Sequence, residues 1–185
     1  YSVRLDHQIS SRDSVYGRLG FAHNAGSSSS NTFIQTNIGN FGLKSVNSIY
    51  SLNLNETHIF SPNVVNEFRS GYGRSSPMFD FDSTLAPGPR IIFANNDVDR
   101  FGHYEGGPQG RIQNTYQYGD TLTWTRGAHT LKFGGDFFRY QGNSIFDIQT
   151  RGQYTFLSWL DFAEGRPYQF TQRFGGTVRG HRAWL

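Results

Sequence analysis

The 185-residue sequence contains no cysteine, which excludes disulfide frameworks and thiolate metal sites. Charged residues make up 17% of it and hydrophobic residues 36%, against about 25% and about 45–50% in ordinary soluble domains. It has no run of about 18 apolar residues, so it has no membrane-spanning helix. Lysine is rare, and no run of Lys and Arg accompanies the net charge of +3. Because nucleic-acid binding requires a concentrated basic patch, we expect no nucleic-acid partner.

Aromatic residues (16%) and glycine (22 residues) are abundant, as are Ser, Thr, Asn and Gln. Such a chain builds a poor aliphatic core but suits a sheet with one wet, polar face and one thin apolar face. The mean hydropathy of -0.56 does not exclude a membrane barrel, because lumen positions and outer loops dilute the apolar strand faces.

Hydrophobic and polar residues alternate with the period of two that is typical of β-strands. For example, Leu122 and Trp124 share one face while Thr121 and Thr123 share the other. We expect a further strand at Tyr168–Phe174, preceded by a short helix over Phe156–Ala163. The alternating segments are 2–10, 14–22, 46–60, 64–73, 111–125 and 130–141.

The connections between these segments alternate between short and long. Short turns are expected at 10–13, 61–63 and 126–129, and long loops at 23–44, 75–110 and 142–167. Outer-membrane barrels have short periplasmic turns and long extracellular loops, and about 9–11 residues cross the bilayer. The sequence therefore predicts an all-β fold, an antiparallel up-and-down transmembrane β-barrel segment of about 6–8 strands, in the outer membrane of a Gram-negative-type bacterium.

Aromatic residues near the ends of these segments predict the two girdles that such barrels place at the lipid–water interfaces. The competing interpretation is the ordinary preference of strands for aromatics. Three ionisable residues share a strand face with leucines: Glu56, His58 and Asp120. Their position requires either a β-bulge that moves them to the opposite face or a bend of the strand at the rim. The predicted interface aromatics are Phe21, Phe60, Tyr72, Trp124, Phe133 and Phe137.

Two hairpins resemble a known family. Leu52–Ser75 and Tyr116–Tyr140 are similar to barrel hairpins of TonB-dependent outer-membrane receptors, in particular the Oar-like group, whose members often carry a carboxypeptidase-regulatory-like domain. The segment Arg4–Ser10 is similar to a strand entering a turn of the same kind.

This resemblance implies a 22-stranded barrel that holds an internal plug and is opened by energy from the TonB complex. Residues 1–185 would then be part of the barrel domain, with the plug and the chain termini outside this segment. The implied partners are outer-membrane lipid, the protein's own plug domain, the TonB complex and an unknown ligand. In a plugged barrel, lumen residues such as Arg18, Glu67, Arg69 and Lys132 would contact the plug more often than the ligand.

Two other functions fit the same alternation. A porin or adhesin barrel without a plug would have the same strands. A secreted, soluble β-rich module could use exposed aromatics to bind glycans, with its apolar strand faces packed against each other instead of lipid.

No motif in the sequence points to catalysis, so we expect a protein that is not an enzyme and has no cofactor. The six histidines include no i, i+4 pair that would indicate zinc. Asn95–Asp99 resembles part of a calcium loop, but Arg100 and Gly106 stand where an EF-hand needs Gly and Glu. We expect no metal centre, although a looser calcium site near Asp80 and Asp82 stays open.

The loop 75–110 is the candidate for ligand contact, because long loops on a rigid scaffold often carry function. A solvated loop that only shields the barrel mouth is an equally good interpretation. The candidate residues are Asp80, Asp82, Arg90, Asp97, Asp99 and Arg100.

Overall fold

The computed structural model describes residues 1–28, 43–81, 88–95, 100–102, 106–146, 148–174 and 178–184. Seven strands form one antiparallel sheet in the order β1-β2-β3-β4-β6-β7-β10, and three short strands form a second sheet, β5-β8-β9. The elements are β1 (Ser2–Gln8), β2 (Asp13–Ser28), β3 (Leu43–Ser61), β4 (Val64–Phe81), β5 (Arg90–Phe93), β6 (Gln109–Arg126), β7 (His129–Phe146), β8 (Gln153–Phe156), α1 (Trp159–Ala163), β9 (Gln169–Thr171) and β10 (Val178–Trp184).

Tight turns join the strands at one end of the large sheet. Pro62 and Asn63 connect β3 to β4, and Gly127 and Ala128 connect β6 to β7. Gly127 has a φ of 59°, which suits the first central position of a two-residue hairpin turn. The β1–β2 connection is closed by the Ile9 backbone N–H, which donates to the Asp13 carbonyl at 2.9 Å.

The register separates two faces, because residues that pair directly across strands point to the same side. Leu19 pairs with Leu52, whereas Arg18 pairs with Asn53. We call the two sides the apolar face and the polar face. The apolar face includes Leu5, Leu19, Leu52, Leu54, Phe68, Tyr72, Tyr118, Leu122, Phe133 and Phe137; the polar face includes Arg4, Asp6, Arg18, Asn53, Asn55, Glu67, Arg69, Gln117, Thr121, Lys132 and Asp136.

The apolar face has no protein layer packed on it in the described structure. Leu5 is 74% exposed, Leu19 61% and Phe133 56%. A soluble monomer rarely leaves so broad an apolar surface uncovered. The buried aromatic core lies instead in the small sheet, where Phe93 is 2% exposed and packs between Phe101 and Phe162 at ring-centre distances of 6.0 and 5.9 Å.

The strands are longer than the alternation predicts, so the predicted loop boundaries at 23–44, 75–110 and 142–167 are wrong. β2 continues to Ser28, β4 to Phe81 and β7 to Phe146. The reason is backbone pairing: Ser45 pairs with both Gly26 and Phe79 although the side chains there no longer alternate clearly. A sequence rich in Ser and Gly is typical of a loop. The hydrogen bonds between paired strands, however, join backbone groups and do not depend on the side chains.

The expectations for the last third of the chain also need correction. Gln169–Thr171, within the strand predicted at Tyr168–Phe174, pairs with β8 in the small sheet, and the seventh strand of the large sheet is β10. The helix begins at Trp159 rather than Phe156, because Phe156 pairs with Phe93 and the Ser158 hydroxyl caps the helix by accepting from the Asp161 N–H at 3.2 Å.

No helix in the described residues is long and apolar enough to span a membrane.

Two adjacent glycines of β7 provide a test of the close approach of strands. A Cβ at Gly134 would lie 2.6 Å from the Asp120 backbone oxygen, whereas a Cβ at Gly135 would meet nothing within 4 Å. We expect Gly134→Ala to destabilise the folded full-length protein by about 1–3 kcal/mol, the usual cost of overpacking. Urea unfolding in detergent micelles measures the loss.

Gly135→Ala is the matched control and should leave the unfolding midpoint nearly unchanged. Equal effects of the two substitutions would contradict the described register of β6 and β7.

Candidate functional site

The polar face carries charged side chains paired with one another along its surface. Arg4 and Asp6 form an ion pair at 2.7 Å, and the Arg4 guanidinium lies 4.0 Å from the centre of the Tyr16 ring. Both members of the ion pair are more than half exposed. The pair therefore orders the polar surface more than it stabilises the sheet.

Arg69 stands at the centre of the polar face and reaches across three strands. Its Nη2 donates to the Thr121 hydroxyl at 3.0 Å and lies 3.9 Å from Asp136 Oδ1, while its Nη1 lies 3.7 Å from Glu67 Oε2. A Cβ at Gly119 would collide with Asp136 Oδ1, so the glycine makes room for this arrangement. Beside it is an open groove of about 210 Å³ lined by Tyr16, Asn53, Leu54, Arg69, Ser70, Gly71 and Gln117.

A larger pocket of about 380 Å³ lies at the end of β4, β6 and β7 that is remote from the tight turns. Arg111, which is exposed, pairs with Ser144; Gln109 pairs with both Phe79 and Phe146. Phe79 is 37% exposed and Phe146 49% exposed. The pocket lining thus combines one arginine with two partly exposed phenylalanine rings, a combination suited to an anionic group with an apolar body. Its lining is Pro77, Phe79, Gln109, Gly110, Arg111, Ser144, Ile145 and Phe146.

The model of the outer membrane beta barrel domain matches residues 1–185. The chain belongs to this family. The sequence matches no curated protein. Among solved structures, the outer membrane transporter YddB from Escherichia coli matches with a TM-score of 0.59 and 13% identity, over 98% of this chain and 23% of the transporter. The chain thus spans about a quarter of that transporter's length, and at this identity the likeness concerns the fold.

Membership in an outer-membrane barrel family confirms the predicted all-β barrel class and the outer-membrane location. It also gives the two faces their environments. The apolar face of the barrel contacts lipid, and the polar face lines the interior, because lipid-facing and interior-facing residues alternate in such strands. The tight turns lie at the periplasmic rim and the long connections on the extracellular side.

The lipid-facing band can be measured along β6. Trp124 lies at the periplasmic rim, and the stretch from Trp124 to Tyr116 on the same face comprises nine residues. That span matches the roughly 9–11 residues that cross a bilayer. Since β6 begins at Gln109, its remaining residues project beyond the band on the extracellular side, where the pocket at Arg111 lies.

Five of the predicted interface aromatics lie on the lipid-facing side, as the register requires. Phe21 packs against Tyr50 at a ring-centre distance of 5.0 Å, and Tyr72 against Tyr116 at 5.2 Å. The sixth, Phe60, falls at an irregularity of β3 and packs edge-on against the His58 ring at 4.3 Å. The other three, each at least 37% exposed, are Trp124, Phe133 and Phe137.

The ionisable residues that did not fit the alternation face lipid: Asp120 lies midway between Trp124 and Tyr116, Glu56 is level with it through Phe68, and His58 lies nearer the tight turn. The β-bulge lies between Ile59 and Ser61, on the turn side of Glu56 and His58, so it does not turn them inward. His58 Nδ1 instead lies in hydrogen-bond contact with Asp13 Oδ1, and Asp120 Oδ1 accepts from Asn66 Nδ2 at 2.7 Å. These polar partners reduce the cost of placing His58 and Asp120 on the lipid-facing side.

The loop residues predicted to contact ligand are placed in different elements. Asp80 is the penultimate residue of β4 and pairs with Lys44, Arg90 begins β5 with 4% exposure, and Arg100 directly precedes Phe101. The Arg90 backbone N–H donates to the Gly152 carbonyl at 3.0 Å, so this residue is part of the small sheet's core. Asp82, Asp97 and Asp99 lie outside the described residues, and within the described ranges no three His, Asp or Glu side chains converge as metal ligands would.

The pocket residues Phe79, Arg111 and Phe146 were not among the predicted site residues. Phe79 was assigned to a loop, which hid its position on the interior face. The sequence signal that could have indicated this pocket is Arg111. It shares the polar face with Gln113 and lies at the end of β6 next to a long connection.

Neighbouring phenylalanines on β7 test the assignment of the two faces. Phe137 pairs with Tyr118 on the lipid-facing side, and Phe138 pairs with Gln117 on the interior side. In the full-length protein, a nitroxide attached after Phe137→Cys should be more accessible to oxygen, which partitions into lipid. A nitroxide attached after Phe138→Cys should be more accessible to a water-soluble nickel chelate, and the reverse pattern would contradict the assignment.

The polar face forms the interior wall of the barrel, and a substitution of Arg69 tests whether its ion pairs stabilise the fold. Its side chain is 41% exposed in the described sheet. With water beside the wall its ion pairs are screened, and we expect Arg69→Met to change the free energy of unfolding by less than about 1 kcal/mol. Urea unfolding of the full-length protein measures this. A loss above about 3 kcal/mol, typical of a broken buried pair, would mean that an inserted domain covers the wall at Arg69.

Proposed function

We propose that this barrel segment belongs to a transporter that carries a ligand across the outer membrane in a TonB-dependent manner. The observation that carries the proposal is the interior wall, which is mainly polar between Arg4 and Asp136 and keeps glycines where bulky side chains would fill the space. Such a wall suits a wide interior filled by water or by an inserted domain.

The geometry of the large sheet supports a wide barrel. In the described strands, β1 and β10 form the two edges and do not pair with each other. A sheet edge in lipid leaves backbone groups without hydrogen-bond partners, so the complete barrel needs more than these seven strands. The likeness to part of an outer membrane transporter supports the same reading.

The Arg111 pocket supports capture of a ligand at the extracellular mouth. It lies on the interior face beyond the lipid-facing band, where a ligand arriving from outside would first meet the barrel. The role is binding and passage, and we propose no catalytic step. A plug domain would lie against the interior wall, with Arg18, Glu67, Arg69 and Lys132 as its contacts.

The second candidate function is a passive porin, which the same polar wall would serve without a plug. The secreted soluble module is incompatible with membership in the outer membrane beta barrel family.

Two measurements on the full-length protein separate the active transporter from the porin. We expect the protein to bind the periplasmic domain of its host's TonB by isothermal titration calorimetry. We also expect liposomes containing the protein to swell in iso-osmotic arabinose no faster than protein-free liposomes, because a plug closes the barrel. Rapid swelling without TonB binding would overturn the proposal in favour of the porin.

A further inference from the structure

Two arginines face the lipid side of the large sheet at the extracellular end of the apolar band. Arg74 lies on β4, two residues beyond Tyr72. Arg139 lies on β7 and pairs with Tyr116 of β6. Both positions are on the same face as Phe68 and Phe137. Arginine on this face is costly at mid-bilayer and inexpensive near the interface, so the depth of the pair suits the headgroup region of the outer leaflet.

A small polar network holds these side chains. Asn114, which is 8% exposed, accepts at its Oδ1 from Arg74 Nη1 at 3.1 Å and from the Tyr72 hydroxyl at 3.0 Å. The Arg139 guanidinium lies 5.7 Å from the centre of the Tyr116 ring, and Tyr116 packs against Tyr72. Two cationic groups are thus connected through one amide and two tyrosines.

The register gives the lipid-facing residues of the strands β3, β4, β6 and β7 that surround Arg74. The lipid-facing positions between residues 46 and 54 of β3, 68 and 78 of β4, 110 and 118 of β6, and 133 and 145 of β7 hold no Asp or Glu. The polar partner of Arg74 is the neutral Asn114 amide. A guanidinium at a lipid surface attracts anionic headgroups, and its planar fork matches a phosphate.

We propose that Arg74, Asn114 and Arg139, with Tyr72 and Tyr116, form a binding site for a phosphate-bearing lipid headgroup of the outer leaflet. The phosphate accepts hydrogen bonds from the two guanidinium groups, and the tyrosine rings pack beside the headgroup. This surface is on the opposite side of the sheet from the interior wall and the Arg111 pocket, so it is independent of the transport proposal.

The test measures binding of diphosphorylated lipid A to the full-length protein in an uncharged detergent by native mass spectrometry. We expect Arg74→Gln or Arg139→Gln to weaken binding about five-fold, and the double variant about thirty-fold, because each basic residue contributes independently. Lipid A stripped of its phosphates should bind as weakly to the unmodified protein as the intact lipid binds to the double variant.

Arg12→Gln combined with Arg126→Gln is the matched control. It removes two positive charges at the end of the sheet that carries the tight turns and should leave lipid affinity unchanged. Arg74→Lys with Arg139→Lys should restore most of the binding, and retained heat-dependent gel mobility verifies folding of every variant. The proposal is overturned if the double Gln variant binds normally, if the control loses as much, or if inorganic phosphate at millimolar concentration displaces the lipid.

Discussion

A strand inside a bilayer finds no water for its backbone N–H and C=O groups, so each must pair with a neighbouring strand. This requirement governs the whole structure. It explains why β3 runs unbroken for 19 residues through sequence rich in Ser and Asn, and why it pairs with β2 and β4 along nearly all its length. It also explains why side chains of either polarity can occupy these strands, because the hydrogen bonds between strands are formed by backbone groups alone.

The sorting of side chains between the two sides of the sheet gives each face a separate chemistry. On the lipid side most side chains are apolar or aromatic, with Asp120 paired to Asn66 in the middle of the band and Arg74 at its extracellular end. On the interior side the same strands carry arginine, lysine and carboxylates that pair with one another at the exposed surface. A single residue step along a strand therefore moves a side chain between lipid and the polar interior.

The small sheet differs from the large one because it buries aromatic side chains in a core. β5 and β8 pair in parallel, and Phe93, Phe156 and Phe162 pack in mutual contact at ring-centre distances between 5.1 and 6.2 Å. Its strands come from the two connections that follow β4 and β7. Aromatic packing between those two connections holds them to each other.

The sequence by itself determined the alternation, the tight turns and hence the barrel class, because strand periodicity and turn chemistry are local. It determined the facing of Arg18, Glu67, Arg69 and Lys132 for the same reason. Only the tertiary structure decided where the strands end, that Gln169–Thr171 pairs with β8 rather than with the large sheet, and that Phe79, Arg111 and Phe146 share a pocket. Those outcomes depend on pairing and packing between residues distant in the chain, which side-chain patterns within one segment do not encode.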